Sequence, residues 1–427
     1  MNVLIVAMEE DRWGTYRLPK ALAAAGFQVA ALCRETCPLL KTRFIHRQFR
    51  LNNARGLGRI RAQLIEAMDI WKPRLVIPGD ERAAAMLHAI IKEAWYEGIW
   101  SLSSAQLATL IFSLGAPEQL DAMLLKSHTQ ELARSLGVRV PQGETLSELE
   151  DASQVAATLR YPVVLKQSLG WGGAGVRVCR DRHELAAGIA QMRGERPSML
   201  KSRIRQGLDR NWFHTDSSVD LQRAIAGRPA MYCVAALGGK VVAGFAGFPE
   251  QTNGVNGHST IVRLGAHEAM AQASRAMVQA YRGSGILGFD FMIEDTTGDA
   301  YLLECNPRPI QVCHLGPRIG VDLCGALFAE LAGKSVAHSA TAAGTAGETI
   351  ALFPQEWQRA PDSAHIGTVF HDVPWDDPQL LQVMVSSARF STAPALPFAA
   401  PAPEDIRPVA TPGAPTLLLR ATAAKPE

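Results

Sequence analysis

Residues 285–308 read GILGFDFMIEDTTGDAYLLECNPR, two apolar runs around a polar turn. Side chains alternate along a strand, so over 288–293 Asp290 and Met292 face one side while Phe289, Phe291 and Ile293 face the other. The turn DTTGD, 295–299, is a good hairpin connection. On the return strand, 301–306, Glu304 and Asn306 share a face and Cys305 takes the other. Leu302, Leu303 and the phenylalanines make this a buried hairpin, and buried acids are rare unless they are paired or bind metal. Two carboxylates and an amide oxygen are hard donors that suit Mg2+, with Mn2+ as an alternative, held together with substrate phosphates. Arg308 follows with a fork that grips a phosphate or a carboxylate.

The chain around this hairpin has 427 residues, enough for two or three domains. Apolar residues make up 47% and charged residues 20%, as in an ordinary globular protein. A net charge of +2 argues against a dedicated nucleic-acid binder. No apolar run reaches the roughly 20 residues of a membrane span. The opening MNVLIVAMEEDRW lacks a basic leader and a cleavage site, so it reads as a first strand and not as a signal peptide. Seven scattered cysteines without a CxxC spacing suit reduced, mostly structural thiols in the cytoplasm.

Residues 1–114 alternate strand and helix: strands at 3–7, 27–32 and 74–78, helices at 16–25 and 58–71. This predicts a parallel, Rossmann-like βαβ domain whose loops 8–13 and 78–82 face a cleft. Residues 115–140 read as helical and carry Lys126. A small α/β unit occupies about 147–216. Residues 217–265 are strand-rich, 266–283 helical, and another helix lies near 321–331. An ordered stretch is expected at 349–389 within a C-terminal extension, 335–390. The Pro- and Ala-rich tail, 391–427, reads as flexible.

The loop 170–175, GWGGAG, formally matches the dinucleotide fingerprint G-x-G-x-x-G. Its context differs, because a Rossmann turn opens a helix. Here PVVLK, ending in Lys166, precedes the loop and the strand 176–179 follows it. Strand, lysine, glycine loop and strand make a hairpin lid whose N–H groups close over phosphates. Gly333-Lys334-Ser335 is no Walker A, since Phe328 stands where the upstream glycine is needed. Arg263, on the strand 260–264 after the loop TNGVNGHS, is a candidate to stabilise a transferring phosphoryl group if it points to the hairpin. Beyond Arg308, Gln311 and His314 are candidates to reach an acyl acceptor. Cys313 reads as a packed residue.

From about Lys126 to Leu331 the chain resembles the ATP-grasp superfamily. The resemblance implies a pre-ATP-grasp domain over 1–114 and a two-subdomain ATP-grasp domain over 115–334, with its lid at about 147–216. ATP would lie between the subdomains. Lys126 and Lys166 resemble the two ATP lysines, and the loop Ser168 to Gly175, with Gly170, Gly172 and Gly173, resembles the phosphate cover. Asp290, Glu304 and Asn306 resemble the metal ligands, and Arg308 the arginine after them. The stretch from Asp220 resembles the adenine hinge, with Gln222, Arg223, Ala224 and Ile225 offering backbone groups to the base. Here the sequence departs from the family pattern: Gln222 replaces an acid, and Pro229 stands where many members hold the ribose with glutamate.

The activity implied is ATP-dependent ligation. A small carboxylic acid is activated as an acyl phosphate and coupled to an amine, a thiol or another nucleophile, releasing ADP and phosphate. Catalysis would rest on Arg308, Arg263 and Lys166. An ATP-grasp phosphotransferase and a nucleotide-binding regulatory protein with little turnover remain as alternatives. The strand after Gly175 speaks against a nicotinamide oxidoreductase. The expected partners are small molecules, with neither nucleic acid nor membrane, and a homodimer is left open.

Overall fold

A computed structural model of the chain describes residues 1–10, 12–52, 56–98, 101–146, 152–167, 175–195, 219–254, 257–334 and 347–387. The first unit holds β1 (Asn2–Val6), α1 (Trp13–Ala24), β2 (Gln28–Cys33), β3 (Arg47–Arg50), α2 (Leu57–Trp71), β4 (Leu75–Pro78) and α3 (Glu81–Tyr96). Its strands form a parallel sheet in the order β3-β2-β1-β4. Val3 to Val6 are all buried, as parallel strands covered on both faces require. Asp80 caps α3 through the Ala83 N–H and also accepts from the N–H groups of Met8 and Glu9. One buried carboxylate therefore fixes both loops expected to face a cleft.

After α4 (Ser104–Leu114), the helical stretch expected over 115–140 divides at Leu125 into α5 (Leu120–Leu124) and α6 (Lys126–Ser135). Leu125 is extended, with φ −94° and ψ 122°, and this turns Lys126 onto the first position of α6. A lid sheet follows, from β5 (Gly143–Leu146), α7 (Ala152–Leu159), β6 (Val163–Gln167), β7 (Val176–Cys179), α8 (Arg182–Glu195) and β8 (Val219–Arg223). Its order is β5-β8-β6-β7, with every pairing antiparallel. Leu146, Ala156, Val163, Leu165 and Leu221 form its separate core. Asp181 opens α8: it accepts from the His183 and Glu184 N–H groups, while Glu184 takes the Arg180 N–H.

The central sheet has seven strands in the order β13-β12-β9-β10-β11-β14-β15. They are β9 (Gly227–Leu237), β10 (Lys240–Thr252), β11 (Ser259–Gly265), β12 (Gly285–Glu294), β13 (Ala300–Asn306), β14 (Glu348–Ala351) and β15 (Phe370–His371). Alternation splits it into two apolar faces. Ala230, Tyr232, Phe289, Phe291 and Leu302 pack in one core with Met270, Met277 and Tyr281 of α9 (Glu268–Tyr281). Met231, Cys233, Phe245, Val262, Leu264 and Ile286 pack in another with Val3, Ile5 and Leu18 of the first unit. That second core also takes Leu323 and Leu327 of α10 (Leu323–Leu331), and Phe353 and Trp357 around α11 (Gln355–Arg359). The segment 347–387, ending in α12 (His365–Thr368), β15 and α13 (Pro378–Ser386), thus continues the central sheet and closes its core. The tail 391–427 lies outside the described residues.

Candidate active site

The hairpin forms as its alternation predicts. Asp290 pairs directly with Glu304 and Gly288 with Asn306, and a register shift follows only beyond Asp290. All three polar side chains therefore leave the same face of the sheet, the one carrying Met231 and Cys233. Asn306 Nδ2 donates to Asp290 Oδ2 at 3.1 Å. Lys126, buried at the start of α6, sets Nζ 3.0 Å from Glu304 Oε2. Lys166 arrives from the lid on β6, opposite Asp220 of β8, and both are buried.

These charges act on one another. Burial and the neighbouring Glu304 charge push the Asp290 carboxyl up to about 7. Burial works against the charge of Glu304 too, yet the Lys126 ammonium and a hydrogen bond from Asp290 hold its carboxyl below the usual range. Burial, and then the charge of Lys126, bring the Lys166 ammonium down to about 8. Two lysines and two carboxylates thus meet where apolar packing strengthens each interaction. The Asp290–Glu304 repulsion is what a divalent cation relieves, and the Asn306 amide oxygen completes a hard donor set, so the residues fit Mg2+.

Arg308 extends the cluster toward the first unit. Its guanidinium pairs with Glu81 at the start of α3 and sits 3.2 Å from Asn306 Oδ1. Glu81 is 3.3 Å from Arg12, which lies 2.6 Å from Glu9. Although burial raises the Glu81 carboxyl, the Arg308 and Arg12 charges outweigh it and hold the group low. The sequence placed the loops of Glu9, Arg12 and Glu81 at a cleft without assigning these residues. The acid directly after a strand end, in PGDE at 78–81, was the available signal.

The glycine-loop residues Ser168, Gly170, Gly172 and Gly173 lie outside the described residues. What frames them is clear: β6 and β7 are antiparallel with Lys166 opposite Val176, so the loop joins two strands. Gly175 has φ +76° and closes this hairpin through its carbonyl, which accepts from Gln167 N–H at 3.1 Å.

At the hinge, Gln222 is buried and its Nε2 donates to Gln130 Oε1 of α6. The backbone expectation for 222–225 needs one correction. Arg223 N–H donates to the Gln142 carbonyl at 2.8 Å and Ala224 N–H to that of Pro162 at 3.0 Å. Both donors are committed to holding the hinge in the lid and are not offered to a base. Pro229 lies exposed on β9 opposite Met292.

Arg263 does not join the site. It pairs across β10 with Phe248, which packs into the core on the face opposite Asp290. Its guanidinium lies 4.6 Å above the Phe248 ring and 3.3 Å from Glu250. A phosphoryl role for Arg263 is excluded by the parity of its strand. Cys313 is packed as expected, its sulfur accepting from the Ile310 N–H at 3.2 Å.

The description "Carbamoyl-phosphate synthase L chain, ATP binding domain" matches residues 126–204, the stretch that carries both lysines and the glycine loop. Over that stretch the chain is similar to the ATP-binding domain of ATP-grasp proteins. It is 22% identical over 217 residues to the carbamoyl phosphate synthase large chain, C-terminal section, of Methanopyrus kandleri, covering 48% of this chain and 37% of that one. The chain spans well under half the length of such curated relatives. The biotin carboxylase of Campylobacter jejuni, solved as a β,γ-ATP complex, superposes with a TM-score of 0.57 at 17% identity, covering 82% of this chain and 74% of that one. The biotin carboxylase domain of Hydrogenobacter thermophilus 2-oxoglutarate carboxylase, solved with MgADP and bicarbonate, gives 0.56 at 19% identity, with coverages of 79% and 71%. At these identities the two superpositions establish a shared fold. Among the described residues no helix is long and apolar enough to cross a membrane.

Proposed function

We propose that this ATP-grasp protein is an ATP-dependent ligase that activates a small carboxylic acid as an acyl phosphate and couples it to an amine or another nucleophile, forming ADP and phosphate. The observation that carries this reading is the convergence of Asp290, Glu304 and Asn306 on one sheet face with Lys126 and Lys166 above them. Asp290, Glu304 and Asn306 would hold Mg2+, whose charge would offset that developing on the transferred phosphoryl group. Lys126 and Lys166 neutralise phosphate oxygens, and contact with phosphate holds the Lys166 ammonium charged against its burial. The hinge backbone other than the Arg223 and Ala224 N–H groups would offer a base edge, and Gln222 sits beside it. Arg308 orients the acid, whose carboxylate competes with Glu81 for its fork.

None of these residues needs to act as a covalent nucleophile, because the chemistry asks for alignment and charge neutralisation. The test is an ADP-release screen with Mg2+-ATP across pooled carboxylic acids and amines. Bicarbonate belongs in the acid pool, since the Hydrogenobacter relative was solved with it. ADP release that requires both an acid and a nucleophile is expected. Release that needs an acid alone and leaves a stable phosphorylated product would establish phosphoryl transfer instead.

A further inference from the structure

The loop 308–314 leaves the metal hairpin and crosses the start of α1, pinned at both ends by the first unit. At one end Arg308 meets Glu81 and, through it, Arg12. In the middle the backbones touch, for a Cβ on Gly14 would lie 2.4 Å from Gln311 Cα. At the other end His314 Nε2 lies 2.8 Å from Asp372 Oδ2, and Arg17 Nη2 lies 2.6 Å from Asp372 Oδ1. Arg12 and Arg17 are five residues apart at the start of α1, about 7.5 Å along its axis at 1.5 Å per residue. Arg17, linked to His314 through Asp372, is thus roughly one and a half turns from Arg12, linked to Arg308 through Glu81, and Cys313 and Leu315 on either side of His314 pack in the core between the metal-bearing sheet face and the first unit.

The surroundings of His314 are those of an oriented base. Asp372 is buried and, although burial opposes its charge, Arg17 and His314 hold its carboxyl below the usual range. In the neutral imidazole, an ionised carboxylate 2.8 Å from Nε2 fixes the N–H on that nitrogen and leaves the lone pair on Nδ1. Nδ1 is buried and has no hydrogen-bond partner among the described residues, on a side chain only 9% exposed. A buried polar atom left in this way calls for a partner from outside the chain. The charged and titratable groups around the imidazole are Arg17 on α1, Asp372 just after β15, and His371 within β15, which lies near Glu356 of α11.

Resting on the ligase reading above, we propose that His314 takes the proton from the incoming amine, with Asp372 and Arg17 as positioning residues. In the coupling step one proton passes from the ammonium to His314 Nδ1. The freed lone pair forms the C–N bond at the acyl phosphate carbonyl, the C–O bond to phosphate breaks with its electron pair going to phosphate, and phosphate carries away a second N–H proton. Atoms and charge balance with one amide, one hydrogen phosphate and one imidazolium. The substrate class this implies is a primary amine that reaches the site as an ammonium ion.

The test compares two nucleophiles at pH 7.5 in the presence of Mg2+-ATP and the pooled acids: hydroxylamine, which is already an unprotonated base, and a pool of amino acids, which are ammonium ions. ADP release is followed for the full-length wild type, His314→Gln and Asp372→Asn. General-base assistance is worth about 100-fold or more. We expect His314→Gln to lose at least that with amino acids and less than about threefold with hydroxylamine, with Asp372→Asn showing the same split more weakly. An equal fall with both nucleophiles would make the dyad a structural latch and overturn the proposal, as would no fall with either. A wild type that couples hydroxylamine but no amine would overturn it while leaving the ligase reading standing. A wild type that consumes ATP with neither nucleophile removes the ligase reading, and this inference with it.

Discussion

Lys166, the proposed phosphate contact, is held in place at a cost to the fold. Burial and the charge of Lys126 bring its ammonium from 10.5 to about 8. Between those two pH values the unfolded chain holds more protons than the folded one, so stability rises with pH across the window. The cost is fully present below about 8 and is relieved as the pH rises toward 10.5. Lys166→Met should therefore raise the melting temperature of the nucleotide-free protein at pH 7, by the equivalent of about 1–3 kcal/mol, while weakening ATP binding. A lower melting temperature would mean that Asp220 and Glu304 offset the burial of Lys166. The same reasoning gives ATP binding a pH dependence: affinity falls as the pH climbs above about 8, because phosphate prefers the charged lysine. Glu304→Gln keeps the hairpin but removes one of the two carboxylates. It should leave the melting curve two-state and abolish ADP release, a loss on the order of several kcal/mol in transition-state stabilisation. Wild-type release from a folded Glu304→Gln protein would remove Glu304 from the metal set.

Among the elements, the hairpin of β12 and β13 was legible because its parity is local: one strand and its return set which side chains share a face. The strand after Gly175 was legible for the same reason. Arg263 was not, because its face depends on register carried across β9, β10 and β11, which no local pattern states. Asp372 was invisible as well: it lies 58 residues from His314 and is brought there only by β15 joining the sheet edge. The hinge after β8 was read from its side chains, whereas its backbone bonds to Gln142 and Pro162 decide which groups remain for a base. With Pro229 exposed and Gln222 neutral, recognition should run through the base edge and not the sugar. We expect 2′-deoxy-ATP to serve within about 1 kcal/mol of ATP, the net value of one neutral hydrogen bond, and GTP to be rejected because its mismatched edge leaves buried groups unpaired. Values of kcat/KM for the three nucleotides decide this. A hundredfold penalty for 2′-deoxy-ATP would show that some other residue holds the ribose.

Across the whole molecule, the segment 347–387 matters as much as the lid. β14 extends the central sheet, and Phe353 and Trp357 share one core with Val3, Ile5 and Phe245. Trp357 is fully buried, its ring 5.8 Å from that of Phe353. Trp357→Ala should cost about 3–5 kcal/mol, read as a lower midpoint in urea with an unchanged slope, and a smaller loss would mean that the segment folds apart from this core. The alternating pattern of the first 110 residues and the order of Lys126, Lys166 and the hairpin carrying Asp290, Glu304 and Asn306 were legible from end to end, because each is a run of local signals in sequence. How the units close on one another was not, since ion pairs such as Arg308–Glu81 span 227 residues. The central claim is that this closure makes a Mg2+-dependent ATP site. Calorimetric titration of the wild-type protein with ATP, with and without Mg2+, and with NAD tests it most directly. ATP should bind, more tightly with Mg2+, and NAD should give no heat of binding; tight binding of NAD with none of ATP would contradict the account.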